Sequence, residues 1–230
     1  MRIAQVAPLY ERVPPPYYGG TERIVSSLTE ELVRQGHEVT LFASGDSVTS
    51  ARLIAPCRRA LRLDPHSRDP LAAHVLLLEQ VCTAPTRFDL IHFHIASLHF
   101  PLARRHRTPH LTTLHLRLDL PGLVPLYQEF RDMPVVSISH VQRAPLPWLN
   151  WQGTVYHGLP PARYPFGAAP EPYLAFLGRL SPEKGADRAI AIARRAGMPL
   201  KIAVSANRLY GFDQFNLQRS YGGLTPLKWR

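Results

Sequence analysis

The hydrophobic pattern changes period repeatedly along the chain. Arg2 to Ala7 is a short apolar run that predicts a buried strand. A proline-rich loop, Pro8 to Gly20, follows. Ile24, Val25, Leu28, Leu32 and Val33 then recur at three- and four-residue steps, which predicts a helix over 21–35 with Gly36 as its stop. A second apolar run, His37 to Ala43, predicts a strand that enters the loop Ser44-Gly45-Asp46. Strand, helix and strand in so short a stretch predict a right-handed parallel crossover.

The alternation continues with a helix over 71–83 and strands over 88–94, 110–115, 134–139 and 154–157. The run Phe88 to His94 is nearly continuous, as expected of a strand covered on both faces. This order predicts a doubly wound parallel α/β sheet, in which ligands bind outside the carboxyl ends of the strands. Prolines cluster between Pro160 and Pro172, and a new strand–loop–helix–strand series begins there. The expected division is a Rossmann-like domain over 1–160, a linker over 161–171, the incomplete start of a second such domain over 172–203, and an atypical tail over 204–230. The tail lacks periodicity, which suggests either a reading frame that departs from its ancestral sequence or a short segment packed on the sheet. An incomplete parallel sheet would expose an edge and apolar faces, so self-association, low solubility and greater mobility beyond about residue 165 are expected.

Composition narrows the class. Hydrophobic residues make up 45% and charged residues 19%, which fits a globular protein. No apolar run approaches the roughly 18–20 residues of a membrane span. The N-terminus reads as a strand and not as a signal peptide. The two cysteines have neither zinc spacing nor the density of a disulfide scaffold, so a reduced, cytoplasmic protein is the default. The net charge of +10 favours anionic partners. With no zinc finger, helix-turn-helix or ribonucleoprotein motif, nucleic acid is not expected as a partner, and an RNA-binding reading would require salt-sensitive association.

The chemistry concentrates at a few places. In Phe176-Leu177-Gly178-Arg179-Leu180-Ser181-Pro182-Glu183-Lys184-Gly185, an apolar run ends at a glycine, two cations follow, and a helix begins. Unpaired amides and the helix dipole favour an anion there, and the planar fork of Arg179 with the mobile charge of Lys184 suits a diphosphate. Read alone, the segment also fits a surface loop with two solvated cations. Gly19 and Gly20 allow close backbone approach to a phosphate at a helix start, or form a plain turn. The pair lacks the G-x-G-x-x-G dinucleotide fingerprint. Six of eleven histidines lie between His92 and His115, but no carboxylate or cysteine set accompanies them at metal spacing, so no metal is expected.

Seven motifs in order carry a resemblance: Tyr18-Gly19-Gly20-Thr21-Glu22-Arg23, Leu41 to Ser47, Phe88 to His94, Thr112-Thr113-Leu114-His115, Val136 to His140, Val155-Tyr156-His157-Gly158-Leu159, and Gly178 to Gly185. Over residues 1–203 the chain resembles the retaining glycosyltransferases of family 4, whose GT-B architecture has two facing Rossmann-like domains. The resemblance implies a nucleotide-sugar donor and a sugar, lipid-linked or small-molecule acceptor, with no cofactor. It implies that Arg179 and Lys184, together with Gly19 and Gly20, hold the donor diphosphate in place of a metal ion. It implies His115 as the catalytic-centre histidine, and Ser139 and His140 as residues of the acceptor cleft. Peripheral contact with a membrane is compatible with it. The family's E-x7-E segment has no counterpart, since no glutamate follows Glu183. The alternative reading is therefore a catalytically incompetent fragment or binding module that keeps the acceptor side.

Overall fold

The computed structural model describes residues 1–16, 19–66, 69–164, 166–167, 169–179 and 182–205. They fall into two units, Met1–Tyr164 and Pro165–Arg230. The first is built from strands β1 (Arg2–Val6), β2 (Glu38–Phe42), β3 (Arg52–Ile54), β4 (Leu90–Phe93), β5 (His110–Leu114), β6 (Val135–Ser137) and β7 (Trp151–Thr154). All neighbouring strands pair in parallel, in the order β3-β2-β1-β4-β5-β6-β7. The order reverses between β1 and β4, which is where a doubly wound sheet opens its ligand crevice.

The helices are α1 (Gly20–Arg34), α2 (Pro70–Cys82), and the short α3 (Phe100–Ala103), α4 (Leu123–Glu129) and α5 (His140–Arg143). Local chemistry sets their ends. Asp69 caps α2 by accepting from the amides of Leu71 and Ala72 at 2.9 and 3.1 Å, with Pro70 at the first position. Gly36 takes φ 83° just past α1, a conformation that favours glycine.

Strand alternation sorts the core. Ala4, Val6, Phe42, Ile91, Phe93, Leu114 and Val135 share one cluster with Leu77, Leu78 and Val81 of α2, Phe100 of α3 and Tyr127 of α4. A second cluster holds Ala7, Leu41, Ala43, Val13 and Val25 of α1. Gln5, His92, His94 and Thr113 alternate with residues of the first cluster along β1, β4 and β5, and all four form one hydrogen-bonded group, so a polar layer lies within the sheet. Gln5 and His94 are buried, at 1% and 3% exposure.

Two sequence expectations shift. The last strand of this unit is Trp151–Thr154 and not 154–157. It pairs with β6 through a bulge at Val135/Val136, and the Trp151 indole donates to the carbonyl of Leu146 at 2.9 Å. One further ladder bond, Val155 N–H to the Ser137 carbonyl at 2.8 Å, ends the pairing, and Tyr156 and His157 leave the sheet exposed. The three-residue β3 was not anticipated.

The second unit contains β8 (Leu174–Arg179), α6 (Ala186–Ala196) and β9 (Leu200–Ser205), with β8 and β9 parallel. Gly185 and Gly197 bracket α6 at φ 70° and 61°. The tail expected from residue 204 begins within β9 for its first two residues, and 206–230 lies outside the described residues. Among the described residues, no helix is long and apolar enough to cross a membrane.

Candidate active site

In the first unit, the carboxyl ends of the strands gather most of the residues singled out in the sequence. β4 ends at Phe93 and is followed by His94, whose amide donates to the Val6 carbonyl at 2.9 Å. β5 ends at Leu114 and is followed by His115. β6 ends at Ser137, two residues before Ser139 and three before His140.

His115 does not stand alone. Its Nε2 lies 2.9 Å from His94 Nδ1, and its Nδ1 lies 3.2 Å from His157 Nε2. On the far side, His94 Nε2 donates to Gln5 Oε1 at 2.8 Å. Gln5 Nε2 is 3.4 Å from His92 Nδ1, and His92 Nε2 is 2.8 Å from the Thr113 hydroxyl. A continuous set of hydrogen bonds thus runs from a buried amide to the exposed His157.

Burial disfavours charge throughout this group. It holds His94 well below the ordinary histidine range, helped by the neighbouring rings, and lowers His92 to about 4. His115 is lowered to about 3, first by burial and then by His157 and His92. His157 is lowered by the same cause. Neutral imidazoles result, each with one donor and one acceptor nitrogen. His99 and His74 are core members of a different kind. His99 stacks on Phe93 at 3.7 Å and bonds the Thr112 hydroxyl, while His74 accepts from the Leu9 amide and donates to the Pro70 carbonyl.

Ser139 caps α5, its hydroxyl oxygen accepting from the Gln142 amide at 3.1 Å. His140 is exposed and meets Tyr156 edge-on at 6.0 Å. Gln142, which the sequence did not mark, holds the turn after β5: its Nε2 donates to the carbonyls of Leu114 and Leu116, both at 2.8 Å, and its Oε1 accepts from the Ile138 amide at 2.9 Å. These bonds flank His115 on both sides.

Gly19 caps α1 at φ 144°, and a methyl group there would fall 2.9 Å from Pro15 Cβ and 3.0 Å from Glu22 Oε2. Gly20 faces open space, with no atom within 4 Å of such a methyl. The α1 start therefore offers amides and room beside Gly20. Glu22 is buried beside Gly19, and burial raises its carboxyl, opposed by its own backbone and by Arg62. Arg62 also pairs with Glu11 at 3.1 Å.

In the second unit, Arg179 ends β8; its side chain is not among those described. A 3-10 turn, Pro182–Lys184, precedes α6, and Lys184 is exposed. A methyl on Gly178 would lie 3.9 Å from Lys184 Cβ, so this turn folds back against the strand end. At Gly185 it would lie 2.6 Å from Arg188 Nε, which brings a further cation, absent from the sequence expectations, to the start of an 11-residue helix. Among the described residues, no three histidine, cysteine or acidic side chains converge as a metal site.

Residues 18–197 match the model of Glycosyltransferase Family 4. No curated protein matches the chain. Among solved structures, it is similar to AviGT4, a glycosyltransferase involved in Avilamycin A biosynthesis, with TM-score 0.64 and 24% identity over 96% of this chain and 61% of that one. Sucrose-phosphate synthase from Thermosynechococcus elongatus gives TM-score 0.64 and 16% identity over 90% and 63%. A glycotransferase of kitacinnamycin gives TM-score 0.51 and 14% identity over 98% and 69%. These likenesses concern the fold, of GT-B type with a Rossmann-like sheet. The chain spans about three fifths of the length of the first two structures.

Proposed function

The chain belongs to glycosyltransferase family 4, and from that premise we propose that it moves a sugar from a nucleotide-sugar donor to an acceptor hydroxyl with retention of configuration. The observation that carries this reading is the turn between β8 and α6. A strand ends at Arg179, Lys184 follows in a 3-10 turn, and the left-handed Gly185 opens the helix, a combination suited to a diphosphate. In this reading Arg179 and Lys184 neutralise the leaving nucleoside diphosphate as the glycosidic bond breaks, and neither metal nor cofactor is required. Gly19 and Gly20 admit phosphate at the start of α1.

His115 acts on the reacting sugar from the end of β5 through His157, since both of its ring nitrogens are bonded to histidines, while Ser139 and His140 line the acceptor side. The acceptor is a sugar, a lipid-linked sugar or a small molecule; the basic charge of the chain is compatible with peripheral membrane contact. Two free cysteines fit a cytoplasmic location. The test is turnover of a panel of nucleotide sugars, with and without acceptor. Release of nucleoside diphosphate that disappears in Arg179→Ala and Lys184→Ala supports transfer. Absence of turnover in every preparation favours the binding-module alternative.

A further inference from the structure

We propose that Gln5 sets the tautomer of His157 through His94 and His115, and that His157 thereby presents the lone pair of its Nδ1 to a carbohydrate hydroxyl. The carbohydrate part rests on the glycosyl-transfer reading; the relay does not.

The argument is one of donor and acceptor counting. The carboxamide oxygen of Gln5 can only accept, so the hydrogen between it and His94 belongs to His94 Nε2. A neutral imidazole carries one hydrogen, which leaves His94 Nδ1 as an acceptor. The hydrogen across the 2.9 Å gap to His115 Nε2 therefore belongs to His115. By the same step His115 Nδ1 accepts, and His157 Nε2 supplies the hydrogen across 3.2 Å. His157 Nδ1 is left as a bare acceptor. The same orientation has Gln5 Nε2 donate to His92 Nδ1, and His92 Nε2 then donates to the Thr113 hydroxyl.

Reversing the Gln5 amide would reverse every hydrogen in the chain together. With the carboxamide oxygen facing His94 the hydrogens run as above, and the burial of Gln5 and His94 shields that end of the chain from solvent. The chain starts at the β1/β4 switch point, where ligands bind doubly wound sheets, and ends on an exposed ring after β7. Both nitrogens of His115 are occupied by other histidines, so the terminal nitrogen available to a ligand is that of His157. In this arrangement Gln5 and His94 are positioning residues.

The relay is read by long-range proton–nitrogen correlation spectra of the 15N-labelled protein at pH 7.5, without ligand. His94, His115 and His157 are all expected to carry hydrogen on Nε2. In Gln5→Met, His157 is expected to become a mixture of both tautomers, and in His115→Phe, which breaks the chain nearer the surface, the same mixture is expected with His94 unchanged. A wild-type His157 protonated at Nδ1, or a His157 indifferent to both substitutions, overturns the relay.

Transfer kinetics read the ligand contact. His157→Ala is expected to raise the KM for the sugar substrate on the order of tenfold, the loss of about one hydrogen bond, while uridine or guanosine diphosphate binds as before. His157→Asn, whose amide oxygen can take the place of Nδ1, is expected to recover most of that loss. Wild-type kinetics in His157→Ala overturn the contact. A wild-type chain that turns over no nucleotide sugar removes the glycosyl-transfer reading and the carbohydrate contact with it, while the spectra still decide the relay.

Discussion

His94 Nδ1 and His115 Nε2 lie 2.9 Å apart, one ring buried within the sheet and the other half-buried at the carboxyl end of β5. Neither can take a second proton without opposing a neighbour that must also stay neutral, so the sheet centre is organised for uncharged imidazoles.

This has a pH consequence. A histidine whose folded pKa is depressed gives stability that is complete above its unfolded value and declines as pH falls towards the folded one. For His92 the window runs from 6.5 down to about 4 and is worth about 3 kcal/mol. His115 extends it to about 3. Urea unfolding followed from pH 7.5 to 4.5 should show a steady loss of stability, shallower in His92→Gln. Equal stability at pH 7.5 and 5 would refute the neutral cluster.

Gln142 ties the turn after β5 to the start of α5. Gln142→Ala leaves the Ile138 amide and the carbonyls of Leu114 and Leu116 without this partner, and should cost about 2–3 kcal/mol. Ser139→Ala loses one helix cap and should cost about 1 kcal/mol. Denaturant midpoints at constant m-value measure both. The reverse ranking would show that the cap, and not the brace, holds this turn.

The two glycines at the start of α1 should separate cleanly. Gly19→Ala combines a positive φ with close approaches to Pro15 and Glu22, and should cost about 1–3 kcal/mol. Gly20→Ala meets nothing and should leave stability unchanged or slightly raised, by up to about 1 kcal/mol. Thermal unfolding checks this pair. If phosphate occupies the space beside Gly20, the same alanine weakens nucleotide-sugar binding in a fully folded protein.

The sheet was legible because apolar runs and three- and four-residue steps report burial directly: α1, α2, β1, β2, β4, β5 and β6 fall close to their expected places. β3 was not legible, since three residues carry no period. β7 was displaced because Val155 and Tyr156 look more strand-like than Trp151-Gln152-Gly153-Thr154, whereas pairing with β6 and the Trp151 anchor decide the matter. His115 was singled out through its motif, and it stands at the end of β5 as expected. Its link to Gln5 through His94 was not legible, because a glutamine in an apolar run and a histidine 89 positions away become neighbours only when β1 and β4 pair. Arg188 was equally hidden, since only the left-handed turn at Gly185 brings its guanidinium back over the helix start.

The most direct test is calorimetric titration of uridine and guanosine diphosphate into the wild-type chain, Arg179→Ala and Lys184→Ala. Saturable binding of at least one of them, weakened on the order of tenfold or more in each variant, is the predicted result. No binding of either, or equal affinity in all three proteins, would contradict the assignment of this turn to a nucleotide-sugar diphosphate.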